Sequence, residues 1–304
     1  CSLIGLLSAA ILMLPVGAVA QAPVSYAGKT VLVTGSTDGL GRELARSFAA
    51  EGAHVIIHGR NAERGHALVE EITASGKGSA RFIAADLSSM QAVREFADAV
   101  AASTPKLDLL VNNAGVAFND GQRRTSPDGY ELQFAVNYLA GWVLVHKLRP
   151  ALKAAAPSRI INVSSGSSAP IDFNDVMLEA EGAAARGYGQ SKQAQATMTK
   201  AMARDWKAYN IRVNAVAAGF FPHASSTNGD APDAIAPLQN MIPAGRTGRI
   251  REFGWLSAMT CAPLFGGMTG QVIVQDGGES LRRSLMMPDF VPPRERVDGP
   301  WGWQ

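Results

Sequence analysis

Thr30-Val31-Leu32-Val33-Thr34-Gly35-Ser36-Thr37-Asp38-Gly39-Leu40-Gly41 is the stretch that decides the fold of this chain. Thr30 to Thr34 reads as a continuous apolar strand, and from Leu40 to Glu51 apolar residues recur at helical spacing. Between strand and helix, Gly35 lets the chain turn out of the strand, Gly39 lets backbone approach a pyrophosphate, and Gly41 lets helix and sheet pack closely. Free backbone N–H groups at such a turn face the ligand, and the helix dipole favours negative charge there. The stretch therefore predicts a nucleotide-binding βα unit.

The same alternation continues outward. His54 to His58 is a second strand about 20 residues after the turn, the spacing expected of a dinucleotide-binding unit. Further strands are expected at Ala80 to Ala85, Leu107 to Val111, Arg159 to Val163, Ile211 to Val216 and Gln271 to Val274, with helical stretches between them. Uniformly apolar strands separated by helices are what a parallel sheet covered on both faces requires. The expectation is an α/β fold, a Rossmann-type doubly wound parallel sheet in a single domain spanning residues 28–280.

Composition agrees with an enzyme and narrows the partners. The chain has 304 residues, 47% of them apolar, enough to bury a full core. A net charge of +2 gives no electrostatic footprint for nucleic acid. Cys1 and Cys261 are too few for a disulfide framework and too isolated for a metal site, and His54, His58, His66 and His146 lack ligand spacing and read as ordinary surface or core residues. Residues 1–27 form an apolar segment: Leu3 to Ala20 carries no charge and ends in Ala18-Val19-Ala20, resembling a signal-peptidase site. It reads as a membrane anchor on a cytoplasm-facing enzyme, as an upstream artefact, or as an export signal cleaved after Ala20, with membrane contact through residues 3–20. Residues 281–304 read as a C-terminal tail.

Far downstream, Gly187-Tyr188-Gly189-Gln190-Ser191-Lys192 places a phenol and an ammonium four positions apart, on one face of a helix. Together with the turn, Asp86-Leu87, Asn112-Asn113-Ala114-Gly115, Asn137, Ser164-Ser165 and Asp276-Gly277-Gly278, in that order, this resembles the short-chain dehydrogenase/reductase family over roughly Gly28 to Gly278. The resemblance implies hydride transfer between a nicotinamide cofactor and a small-molecule alcohol or carbonyl, by a homodimer or homotetramer. It implies that Tyr188 donates or accepts the substrate proton, Lys192 holds the nicotinamide ribose, Ser165 bonds the carbonyl or hydroxyl, with Ser164 the lesser candidate, and Asn137 supports a proton-relaying water. For the cofactor it implies Gly35, Ser36, Thr37, Gly39, Leu40, Gly41, Asp86, Leu87, Asn113, Ala114, Gly115, Tyr188, Lys192, Gly219 and Phe221. As a lone residue, Asp86 reads equally as a cap for the next helix.

Two points of chemistry sharpen this. An acid at the end of the second strand would hold the adenosine ribose and repel a 2′-phosphate, but the chain has Gly59 there, followed by Arg60. A guanidinium–phosphate bond is worth about 1.5–3 kcal/mol, so NADP(H) is favoured, with NAD(H) the alternative. Asp38 stands where some NADP-using relatives carry a basic residue, so a second support is not expected. A free tyrosine titrates near 10, and bringing it near neutral needs about 4 kcal/mol, the order supplied by one positive charge at about 4 Å. Lys192 is expected to be that charge, assisted by the oxidised nicotinamide.

The resemblance also has a grain. Ala169 to Asp175 and Arg124 to Phe134 look like the retinol-dehydrogenase-like branch, which implies lipophilic substrates, whereas Met268 to Gly278 looks like bacterial oxoacyl reductases. After the sixth strand, Ala218-Gly219-Phe220-Phe221-Pro222-His223 replaces the family's Pro-Gly and following Thr, putting His223 at the Thr position. Phe220, Phe221, Leu238, Met241 and Ile242 read either as an apolar cover for substrate or as packing. The rival from another class is a catalytically weak dinucleotide-binding sensor, against which the full Asn, Ser, Tyr and Lys set argues.

Overall fold

The computed structural model describes residues 24–118, 120–222 and 242–282. His223, Leu238, Met241 and both terminal segments, 1–23 and 283–304, with the readings attached to them, lie outside the described residues.

Each apolar run becomes a strand: β1 (Thr30–Val33), β2 (His54–Gly59), β3 (Ser79–Ala84), β4 (Leu109–Asn112), β5 (Ser158–Ser165), β6 (Ile211–Ala218) and β7 (Val272–Gln275). They pair in parallel throughout, in the order β3-β2-β1-β4-β5-β6-β7. Successive side chains of a strand point to opposite faces. Thus Val31 and Val33 join one core and Leu32 the other. Helices α1 (Gly39–Ala50), α2 (Ala62–Ser75) and α6 (Ile250–Cys261) cover the first face, where Phe48 and Phe253 are fully buried. Helices α3 (Met90–Ser103), α4 (Ala140–Ala154) and α5 (Gly187–Trp206) cover the second, around Leu144, Leu148 and Met198. A short α7 (Glu279–Arg282) follows β7.

Local chemistry sets the helix ends. Asn61 and Ser89 cap α2 and α3 by accepting from Arg64 N and Ala92 N. Helix α4 starts differently, from a one-turn α segment, Leu132–Phe134, followed by a π-helical turn, Ala135–Leu139, with Asn137 at its centre. π turns inside helices concentrate at functional sites. Because the strand order reverses between β1 and β4, loops leaving their carboxyl ends diverge and open a crevice, the usual ligand position in such sheets.

Candidate active site

The turn after β1 is sewn to its neighbours before any ligand arrives. Ser36 N donates to His58 O at 2.8 Å, His58 N donates to Ser36 Oγ at 2.9 Å, and Gly35 N donates to His58 Nδ1 at 3.0 Å. From the other side, Asn113 Nδ2 donates to Thr34 O and Gly35 O, while Asn113 N and Ala114 N both donate to Thr34 Oγ1. Gly35 has φ +62°, and a Cβ there would stand 2.8 Å from Ala114 Cα, so no side chain fits.

A cleft of about 870 Å³ opens above this frame. Gly35, Thr37, Gly39, Leu40, Gly41, Arg60, Asp86, Leu87, Asn113, Ala114, Gly115, Gly219 and Phe221 all line it, as do Tyr188, Lys192 and Ser164. Ser36 departs from the cofactor set read from sequence: its side chain is fully buried, donates to Val33 O at 2.7 Å and braces the turn from beneath. Asp86 lines the cleft but does not cap the next helix, where Ser89 stands; its Oδ1 accepts from Ser88 N at 3.0 Å, two residues on. Phe221 lines the cleft yet is 5% exposed and packs edge-on against Phe253, so most of its ring belongs to the core.

At the Arg60 end of the cleft two residues missed by the sequence reading enter. Arg64, four positions beyond Arg60, lines the cleft and pairs with Asp38 at 3.0 Å, while Asp38 Oδ1 accepts from Gly39 N and so caps α1. Asp38 therefore does not remove basic support, because its charge is matched by a second arginine. The signal was a second arginine in the first turn of α2, just after Arg60 and the cap Asn61. A Cβ on Gly59 would stand 2.6 Å from Thr37 Oγ1, so Thr37 occupies the space from which an acid at position 59 would reach a ribose. The second missed residue is His58, buried beneath the turn it holds. Burial pushes its pKa down to about 4, so the ring is neutral and Nδ1 is free to accept from Gly35.

At the other end, α5 and β5 bring the catalytic candidates together. Ser165 lies beside the Tyr188 phenol and lowers it, while its Oγ accepts from Ser167 N at 3.0 Å and donates to Ala218 O at 3.4 Å; Ser164 Oγ donates to Lys192 O at 2.9 Å. Lys192 is 4% exposed, and its Nζ donates to Val163 O at 2.8 Å and to Gln195 Oε1 at 3.0 Å. Burial lowers this ammonium to about 8. Asn137 Oδ1 accepts from Val116 N, and its Nδ2 donates to Val116 O and Ser191 Oγ. Asn137 Oδ1 and Lys192 Nζ flank Gly115, 3.3 and 3.4 Å from where a Cβ would stand.

The Tyr188 phenol is pushed up by burial, with Ser165 pulling it down, and Lys192 Nζ stands 5.7 Å from the ring centroid with two N–H groups directed to neutral acceptors. Desolvation outweighs the Ser165 contribution, so in the chain alone the phenol stands above its ordinary value. The arrangement holds a protonated phenol beside a hydroxyl donor at the mouth of a phosphate-cradling cleft, suited to protonating a carbonyl oxygen.

The comparisons agree with this geometry. The family model described as enoyl-(acyl carrier protein) reductase matches residues 35–280. The chain is 32% identical over 260 residues to the rhamnolipids biosynthesis 3-oxoacyl-[acyl-carrier-protein] reductase of Pseudomonas aeruginosa, covering 84% of this chain and 97% of that protein. It is 35% identical over 209 residues to retinol dehydrogenase 13 of Homo sapiens, covering 67% of this chain but only 62% of that relative's length. Among solved structures, the Pseudomonas aeruginosa RhlG/NADP active-site complex superposes with a TM-score of 0.72 at 31% identity, covering 84% of this chain and 98% of the other. A short-chain dehydrogenase/reductase from Serratia marcescens gives 0.69 at 28% identity, covering 84% and 98%.

Proposed function

The chain belongs to the short-chain dehydrogenase/reductase family and is an NAD(P)-dependent oxidoreductase, and from that premise we propose that it interconverts an alcohol and a carbonyl on a lipophilic small molecule, with NADP(H) as its cofactor. The observation that carries the reading is Tyr188 lining the cleft, with Ser165 beside its phenol and the buried Lys192 lining the same cleft. A bound dihydronicotinamide supplies the hydride. In the reducing direction Tyr188 gives its proton to the carbonyl oxygen, Ser165 Oγ donates a hydrogen bond to the same oxygen, and the Lys192 ammonium steadies the phenolate left behind. Asn137 has both side-chain ends engaged, so its support of a proton-relaying water falls to the backbone of the π turn.

NADP(H) is supported by Arg60 and Arg64 on one rim, by Thr37 filling the space beside Gly59, and by the NADP complex among the similar structures. Lipophilic substrate is supported by Phe118, Leu132, Val136 and Phe220 along the same cleft. Self-association is supported by exposed Trp255, Leu264 and Val274 on α6, the turn after it and β7. No helix among the described residues is long and apolar enough to cross a membrane. A cytoplasm-facing domain is our reading because the nicotinamide pool this chemistry draws on is cytoplasmic; a periplasmic protein starting at Gln21, found by fractionation and mass spectrometry, would overturn it.

The test is a panel of medium- and long-chain aldehydes, ketones and 3-oxoacyl thioesters assayed on the full chain with NADPH and with NADH. Turnover favouring apolar carbonyls and NADPH is expected. Binding of NADPH without turnover on any carbonyl or alcohol would leave the sensor reading standing instead.

A further inference from the structure

Helix α5 turns a polar stripe, not an apolar one, toward the carboxyl ends of β4 and β5. Ser191, Lys192, Gln195 and Thr199 are all buried, at the spacing that puts them on one helix face. Behind them the polar contacts continue: Asn162 Nδ2 donates to Thr199 Oγ1 at 2.8 Å and Asn112 Nδ2 donates to Asn162 Oδ1 at 2.9 Å. Gln195 is 1% exposed, and its side-chain carbonyl accepts from Lys192 Nζ at 3.0 Å. A buried amide is costly unless hydrogen-bonded, so a glutamine at this position in place of an aliphatic residue calls for a reason.

We infer that Gln195 is a positioning residue for the proton-transfer chemistry: a neutral acceptor that holds the buried Lys192 ammonium in place and charged without cancelling its charge. The inference rests on the oxidoreductase reading proposed above. Three alternatives at position 195 show why a neutral acceptor is required. An aliphatic side chain would remove one of the two acceptors of a buried ammonium. A carboxylate would satisfy it but form an ion pair, and the net field at Tyr188 would vanish. A base such as lysine or histidine would repel it.

The surroundings leave Gln195 this role. Among the described residues the titratable group facing the ammonium is the Tyr188 phenol on its own helix. The neighbouring strand β5 offers the Val163 carbonyl and the π turn offers Asn137, both neutral, and burial is the sole cause of the lysine's shift. With the ammonium already lowered to about 8, little margin remains above neutral pH. A hydrogen bond to a charged group shifts a protonation equilibrium by roughly ten- to a hundredfold, or about one to two pH units. Losing it would leave Lys192 largely uncharged at neutral pH.

The experiment is a pair of near-isosteric variants, Gln195→Met and Gln195→Glu, in the full chain. Lys192 is titrated by NMR of isotope-labelled lysine, its signal assigned with Lys192→Met, and Tyr188 by ultraviolet difference spectroscopy against Tyr188→Phe. Both readouts need neither cofactor nor substrate. In Gln195→Met the Lys192 midpoint is expected to fall by about one unit or more; in Gln195→Glu both the Lys192 and Tyr188 midpoints are expected to rise. Midpoints unchanged in both variants would overturn the inference. So would loss of the cooperative unfolding transition in both, which would make Gln195 a packing residue. The pH profile of kcat should follow the Tyr188 midpoint, with KM for NADPH little altered. If the wild-type chain turns over no carbonyl, the oxidoreductase reading fails while the two titrations still judge Gln195.

Discussion

Tyr188 and Lys192 divide one task between them. Burial raises the phenol above its ordinary value, so in the chain alone it is protonated and ready to donate in the reducing direction. Tyr188→Phe keeps the ring and removes the transferable proton, so kcat should fall by about 10²–10⁴ while NADPH affinity, measured by titration, stays near wild type. Near-normal turnover would remove Tyr188 from the chemistry. At the other end of the cleft, Arg60→Ala and Arg64→Ala separate two kinds of help. Arg60 is expected to weaken NADPH about tenfold or more with NADH nearly unchanged. Arg64 also pairs with Asp38, so removing it takes one positive charge from the cleft, and both cofactors should weaken, NADPH more. Equal loss of NADPH and NADH on removing Arg60 would place that side chain away from the 2′-phosphate.

At the scale of elements, β2 and the turn after β1 behave as one unit through His58. Its ring accepts from Gly35 N only when neutral, and burial lowers its pKa from 6.5 to about 4. Between those values the unfolded chain binds more protons than the folded one, so stability falls as pH drops from 6.5 toward 4. The depression corresponds to roughly 3 kcal/mol. Compared with His58→Gln, which does not titrate, the wild type should lose most of that amount across this window in urea unfolding. Parallel curves for the two proteins would show that the His58 ring is not desolvated. The sequence made the strands, the turn and the Tyr188–Lys192 face legible because each repeats over neighbouring positions with a fixed period. Contacts such as His58 with Gly35, or Arg64 with Asp38, were not legible, since they join residues 23 and 26 positions apart that only strand pairing and a crossover bring together. The π turn at Asn137 was hidden for another reason, a shift of backbone hydrogen bonding that leaves apolar spacing almost unaltered. Gln195 was legible in principle, as a polar position on the face that Tyr188 and Lys192 already marked as inward.

For the whole molecule, the two edges of the sheet are unequal. Strand β3 exposes Ser79 and Ala84, whereas β7, only four residues long and paired on one side with β6, carries Val274 at 52% exposure. Close by in sequence, α6 shows Trp255 at 54% exposure together with Met259, and the turn after it shows Leu264. A strand edge with no partner among the described residues, and large exposed apolar side chains, are features that soluble proteins usually cover. Arg251 lies over the Trp255 ring at 4.8 Å, which shields one face of the indole and leaves an amphipathic patch suited to a partner with the same surface. A two-fold contact between like patches is closed and self-limiting. The expected assembly is therefore a homo-oligomer built on α6 and β7, seen by light scattering on the purified full chain. Trp255→Glu combined with Val274→Lys should convert it to a monomer with NADPH binding retained, because neither side chain lines the cleft. A wild-type monomer, or a double variant with unchanged mass, would mean that these side chains are ordinary exposed apolar surface.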